Sequence, residues 1–214
     1  MDNRYQHKQL DSMHVVWVVC DRTGRVTELN LQEASLQGTL ENLDFSSLPK
    51  LVYLDLSNNK LTGNIPSQIG TLSRLTHLDL SVNFLTGSLP LSFGNLSRII
   101  ELNVSANGLT GELDPLLFTN WTKLVSLGLQ NNEFIGTIPR KIDLLTSLKK
   151  LTLSYNNIGG SIPPEIGNLK DLFLVALRGN FLIGSIPQSL GNLSNLMVLY
   201  CYTLIRINSL DQFP

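Results

Sequence analysis

Charged residues are scarce in this chain of 214 residues: they form 15% of the sequence, and the formal net charge is −1 at pH 7. A soluble domain has about 25% charged residues on average. A protein that binds a polyanion needs a dense surface of lysine and arginine, which this composition does not supply. The composition therefore argues against nucleic acid as a partner.

Long apolar runs and cysteines are also lacking. The longest apolar candidate, residues 15–20, is far shorter than the roughly 18 residues that span a bilayer, and no export signal is visible. The two cysteines, Cys20 and Cys201, lie near opposite ends of the sequence, a spacing that fits no metal site and indicates no redox compartment. We expect a soluble chain that does not itself insert into a membrane.

Motifs of catalysis are missing as well. The histidines at positions 7, 14 and 77 form no metalloprotease motif, and the Gly-Lys pair of a phosphate-binding loop does not occur. Every candidate polar residue has an explanation in the repeat described next. The sequence therefore predicts neither an enzyme nor a site for a metal or cofactor.

An internal repeat fills most of the chain. The phrase L-x-x-L-x-L-x-x-N begins at positions 51, 75, 99, 124, 148 and 172, at intervals of 24, 24, 25, 24 and 24 residues. Degenerate units begin at Val26 and Leu196. A period of about 20–29 residues with this phrase is typical of leucine-rich repeats. We predict a degenerate N-terminal cap at 1–25, a repeat array at 26–199 and a non-repeat tail at 200–214.

Each unit has a simple physical interpretation. Alternation directs Leu54 and Leu56 to one face of a short strand and Tyr53 and Asp55 to the other. The phrase L-x-G-x-I-P predicts a turn, and I-G-x-L predicts a short helical or 3-10 return. The fold class is thus an α/β repeat, a right-handed leucine-rich-repeat solenoid with a parallel concave sheet and short convex helices. We predict a structural ladder that satisfies buried backbone groups, formed by Asn59, Asn83, Asn107, Asn132, Asn156 and Asn180.

The phrase L-x-G-x-I-P-x-x-I-G-x-L, joined to L-x-x-L-x-L-S-x-N, resembles the plant-specific repeat of receptor-like kinase and receptor-like protein ectodomains over residues 15–200. Residues 18–31 look like the end of that family's N-terminal cap running into its first repeat. The cap usually has a second cysteine before a tryptophan and a glycine, whereas this chain has Met13, Val15 and Trp17, so the resemblance leaves Cys20 without its customary partner. Family receptors continue through more repeats, a membrane helix and often a kinase domain, which implies a truncated ectodomain here.

The resemblance implies a receptor segment in signalling or defence at the extracellular face of the plasma membrane or in the apoplast. Its partners would be a peptide or protein ligand and a co-receptor. Two alternatives remain open: a secreted inhibitor similar to the polygalacturonase-inhibiting proteins, and an intracellular scaffold or gene fragment.

The concave face carries the candidate ligand-binding residues. Acidic residues occupy its first four units and basic ones, Lys149, Lys150 and Arg178, its last two. Complementary potentials predict an extended peptide whose basic part lies toward the N-terminal units, while the alternative is an ordinary solvated face. The candidates are Tyr53, Asp55, His77, Asp79, Glu101, Gln130, Lys150, Tyr155 and Arg178.

Four glycosylation sequons are present, and they are relevant if the chain enters the secretory pathway. Asn95, Asn120 and Asn192 fall on the predicted convex return, where a glycan has room. A glycan on Asn103 would lie on the concave sheet and obstruct a ligand.

Overall fold

The computed structural model describes residues 6–7 and 16–201, and their backbone winds into a solenoid of short strands and 3-10 helices. A ten-stranded sheet forms one side. Its first three strands pair antiparallel, and from the third strand onward every following pair is parallel, which confirms the predicted parallel sheet. The strands, in order across the sheet, are Gln6–His7, Trp17–Cys20, Val26–Asn30, Tyr53–Asp55, His77–Asp79, Glu101–Asn103, Ser126–Gly128, Lys150–Thr152, Leu174–Ala176 and Val198–Tyr200.

The opposite side carries the predicted returns, which are 3-10 helices of three to six residues. A proline precedes most of them in extended conformation, such as Pro66 with ψ 143°. Proline fixes φ near the helical value and lacks the N–H that would continue a strand, so each return begins at a defined point. The helices are Leu40–Asn42, Phe45–Ser47, Ser67–Thr71, Leu91–Asn95, Pro115–Asn120, Arg140–Leu144, Pro164–Asn168 and Gln188–Asn192.

Further short strands lie along one flank, where the sequence predicted only turns. Gln37–Thr39, Lys60–Asn64, Phe84–Gly87 and Gly108–Leu109 form a parallel four-stranded sheet, and Gly159–Gly160 pairs with Phe181–Leu182. The reason is stacking: each turn lies beside the same turn of the next unit, so its N–H groups reach the neighbour's carbonyls, as Thr110 N does with Gly87 O at 2.8 Å. Gly63 and Gly87, both with φ of 76°, then bend the chain out of these strands.

The core is a continuous stack of leucines and isoleucines between the concave sheet and the convex helices. Leu54, Leu78 and Leu102 occupy the same position in successive strands, and each is at most 1% exposed. Trp121 stands where other units have leucine and donates its indole N–H to Phe93 O at 2.9 Å. No unit buries its apolar face alone, so each stabilises its neighbours.

The asparagines that follow the strands all make the same set of hydrogen bonds. Asn83 illustrates it: Oδ1 accepts from Leu61 N at 3.0 Å, and Nδ2 donates to Leu56 O at 3.0 Å and to Leu80 O at 3.1 Å. The side chain therefore joins its own unit to the preceding one. Equivalent bonds are made by Asn59, Asn107, Asn132, Asn156 and Asn180.

The ends of the chain are only partly described. Most of the predicted cap at 1–25 and nearly all of the predicted tail at 200–214 lie outside the described residues. Cys20 is exposed and Cys201 half-buried, and both are free thiols. Burial raises the pKa of the Cys201 thiol to about 11. Within the described part of the chain, no helix is long and apolar enough to cross a membrane.

Candidate binding face

The outward side chains of the concave sheet form two parallel rows. Strand pairing aligns Tyr53 with His77 and Glu101 in one row, and Asp55 with Asp79 and Asn103 in the other. The first row is Glu28, Tyr53, His77, Glu101, Ser126, Lys150, Leu174 and Val198, and the second is Asn30, Asp55, Asp79, Asn103, Gly128, Thr152, Ala176 and Tyr200. Neighbouring side chains in a row are about 4.8 Å apart, the spacing of strands in a sheet.

An aromatic stack occupies the N-terminal part of the face. The Trp17 and Tyr53 rings stack with centroids 5.3 Å apart, and the His77 ring lies 5.7 Å beyond Tyr53. Trp17 was not among the predicted site residues, because it belongs to the antiparallel strand outside the repeat. Its pairing with Asn30 turns it to the concave face. Trp17 and Val19 alternate with Val18 and Cys20 along this strand. That alternation is the sequence signal that could have predicted Trp17 on the concave face.

Two acidic residues of the second row are held within the sheet. Asp55 is only 7% exposed and accepts hydrogen bonds from Ser57 N at 2.8 Å and from the Tyr53 hydroxyl at 3.3 Å. Burial, followed by the charge of Asp55, raises the pKa of Tyr53 to about 12, so the phenol stays a protonated donor at physiological pH. The Asp55 carboxylate therefore fixes the Tyr53 hydroxyl through this hydrogen bond. It is too little exposed to contact a ligand directly.

Asp79 is the more accessible of the two. Its carboxylate accepts hydrogen bonds from Ser81 N at 2.8 Å and from Asn103 Nδ2 at 2.9 Å. Burial raises the pKa of this carboxyl group despite these bonds. Among residues 16–201, no lysine or arginine forms an ion pair with it.

Basic residues occupy the C-terminal part of the face and lie over aromatic rings. Lys150 Nζ is 5.7 Å from the centre of the Phe173 ring, and the Arg178 guanidinium is 5.2 Å from that of Tyr155. Such contacts orient an exposed cation while leaving its charge accessible. The face thus changes from acidic and aromatic to basic along the solenoid.

A shallow cavity of about 210 Å³ lies in the middle of the face. It brings together five of the predicted site residues, while Asp55, Lys150, Tyr155 and Arg178 lie outside its lining. The five are Tyr53, His77, Asp79, Glu101 and Gln130, and the lining also includes Asn103, Ser126, Gly128 and Thr152. No group of three or more metal-ligating side chains is found in the described part of the chain.

The four sequon asparagines differ in their surroundings. Asn95, Asn120 and Asn192 are exposed at the ends of convex 3-10 helices. Asn103 is half-buried on the concave sheet, where Oδ1 accepts from Ser105 N at 3.1 Å while Nδ2 donates to Asp79. The first three lie away from the concave face, and Asn120 Nδ2 donates to Gly94 O at 2.8 Å.

The stacked units, the asparagine ladder and the concave sheet define a leucine-rich-repeat solenoid fold. The family model described as "Leucine Rich Repeat" matches residues 50–72, 74–96 and 147–169. Plant leucine-rich-repeat receptor-like kinases are among the proteins to which this chain is similar. A probable kinase of this class from Arabidopsis thaliana is 45% identical over 53 residues, which are 25% of this chain and 5% of that protein.

Solved ectodomains of plant receptors share the fold. The structure of PEPR1 with AtPEP1 has a TM-score of 0.80 and 37% identity over 85% of this chain and 25% of that one. The receptor kinase HAESA from Arabidopsis, solved with the peptide hormone IDA and the co-receptor SERK1, has a TM-score of 0.77 and 37% identity over 84% of this chain and 30% of that one. The chain therefore spans less than a third of these proteins.

Proposed function

We propose that this chain is a ligand-binding segment of a plant receptor ectodomain and that its concave sheet holds an extended peptide. The observation that carries the proposal is the charge distribution on the face: Glu101 and the half-buried Asp79 lie on the N-terminal side, and the exposed Lys150 and Arg178 lie on the C-terminal side. Complementary potentials orient a bound partner and speed its association. The basic part of the peptide lies toward the N-terminal units.

Similar proteins support this role. PEPR1 and HAESA were solved with AtPEP1 and with the peptide hormone IDA, and HAESA also with the co-receptor SERK1. By analogy, the chain acts outside the cell in signalling, by binding and not by catalysis, and a co-receptor is a second partner. Glycans on Asn95, Asn120 and Asn192 leave the concave face open.

A library of random linear peptides, panned against the full chain secreted from plant cells, tests the proposal. We expect enriched peptides with basic residues grouped toward one end and acidic residues toward the other, and an affinity that falls as salt is raised, because the contacts are electrostatic. The variant His77→Ala/Lys150→Ala/Arg178→Ala should bind such peptides at least about tenfold more weakly, since it removes the half-buried His77 ring and the two exposed cations that face the acidic end of the peptide. Affinity is measured by biolayer interferometry.

The matched control removes three exposed side chains of the convex helices, Gln68, Lys141 and Gln188. Alanine at these positions should leave peptide affinity unchanged. Equal losses in the concave and convex variants, or no enrichment of any peptide, would refute the proposal.

A further inference from the structure

The central cavity of the concave face owes part of its shape to a missing side chain. Gly128 lies in the second row between Asn103 and Thr152. A Cβ atom at position 128 would lie 2.6 Å from Asn103 Oδ1, so even alanine would displace that amide. Gly128 is the last residue of its short strand, Ser126–Gly128, and its lack of a side chain leaves space on the concave face for a ligand to approach.

Hydrogen bonds hold the cavity walls in one conformation. Asn103 is fixed between Asp79 on one side and Ser105 on the other. Gln130 Oε1 accepts from the Thr152 hydroxyl at 2.5 Å. Walls that are ordered before binding lose little conformational entropy when a ligand arrives.

The lining has the chemistry of a receptor for a cation. It contains two carboxylates, Asp79 and Glu101, and it contains no lysine or arginine. Within residues 16–201 the exposed Glu101 carboxylate accepts no hydrogen bond and forms no ion pair. The rings of Tyr53 and His77 complete the wall and supply aromatic surface beside these acids.

The size of the cavity limits the occupant. Pockets that enclose drug-sized ligands measure roughly 300–1,000 Å³, and about 210 Å³ is room for one long side chain. A guanidinium is planar, stacks on aromatic rings and binds carboxylates with two parallel hydrogen bonds, whereas an ammonium is a compact point charge. A wall that combines rings with carboxylates thus fits arginine better than lysine.

We infer that this cavity is a specificity pocket for one arginine side chain of the bound peptide, with Glu101 and Asp79 contacting the guanidinium beside His77. The inference rests on the proposed function, since it names the side chain that the concave face selects. Asn103 and Gly128 shape the pocket, and Asn103 also orients the Asp79 carboxylate.

The test uses three small probes with the full, isotope-labelled chain: N-acetylarginine amide, its lysine equivalent, and the neutral isostere N-acetylcitrulline amide. Titration followed by NMR should shift the backbone signals of His77, Glu101 and Gly128 with the arginine probe, more weakly with the lysine probe, and not with citrulline. Glu101→Gln, which keeps the shape of an exposed side chain, should weaken arginine binding by about tenfold or more, because a charge-assisted pair is lost. Glu133→Gln, at an exposed position on the flank, is the matched control and should change nothing.

The outcomes separate the pocket from the proposed function. Equal binding of arginine and citrulline, signal shifts outside the cavity, or an unchanged affinity in Glu101→Gln would overturn the arginine pocket. If selected peptides bind the wild type and Glu101→Gln equally, the pocket assignment is wrong while peptide binding stands. If the arginine probe binds in the cavity but no peptide is ever enriched, the pocket stands and the proposed function fails.

Discussion

Replacement of Asn156 by alanine is expected to lower the free energy of unfolding by about 3–5 kcal/mol, because it orphans several buried backbone groups at once. Asn156 Oδ1 accepts from Phe134 N at 3.0 Å, and Nδ2 donates to Leu129 O and to Leu153 O, each at 3.0 Å. The side chain is 5% exposed, so water cannot replace these partners. Urea denaturation followed by circular dichroism measures the change.

The next residue is the matched control. Asn157 is exposed, and its side chain makes no hydrogen bond with any described residue. Asn157→Ala should stay within about 0.5 kcal/mol of the wild type, as surface substitutions usually do. Similar losses for the two variants would contradict a ladder whose side-chain hydrogen bonds join neighbouring units.

Gly167→Ala is expected to destabilise the chain by about 1–3 kcal/mol, because the convex helices stack too closely for a methyl group. A Cβ atom at position 167 would lie 2.3 Å from the backbone oxygen of Ser189 in the next helix, and a backbone atom cannot yield as a side-chain tip does. The melting temperature of the variant should fall accordingly.

Gly191 stands at the equivalent place one unit later, and no atom of residues 16–201 lies within 4 Å of the position its Cβ would take. Gly191→Ala should therefore leave stability unchanged or raise it by about 0.4–1 kcal/mol through the lower entropy of the unfolded chain. A Gly167→Ala variant as stable as Gly191→Ala would contradict the close stacking of the helices.

The fold follows from the sequence because its determinants are local and repeated. Leucines at alternating positions define each strand, and the buried amide after the strand has one geometry in every unit, as Asn83 and Asn156 illustrate. The flanking strands could not be predicted in this way. They form only because turn residues of neighbouring units, such as Gly87 and Thr110, come within hydrogen-bonding distance.

Predicting the site from strand alternation is less complete. Alternation places Asp55 on the concave face but does not show that Tyr53 covers it and that Ser57 N binds it. It also misses Trp17, whose strand runs antiparallel and outside the repeat register. The first feature depends on side-chain contacts between residues two positions apart and the second on the pairing of an antiparallel strand, and strand alternation encodes neither.

Hydrogen-exchange mass spectrometry on the secreted chain, with and without a peptide enriched from the library, shows which face of the solenoid binds the peptide. If the concave sheet binds the peptide, amide exchange should slow in the strands from Tyr53–Asp55 to Lys150–Thr152 and remain unchanged in the convex helices. Protection confined to the convex helices or to the flanking strands would contradict the assignment of the concave sheet as the binding face.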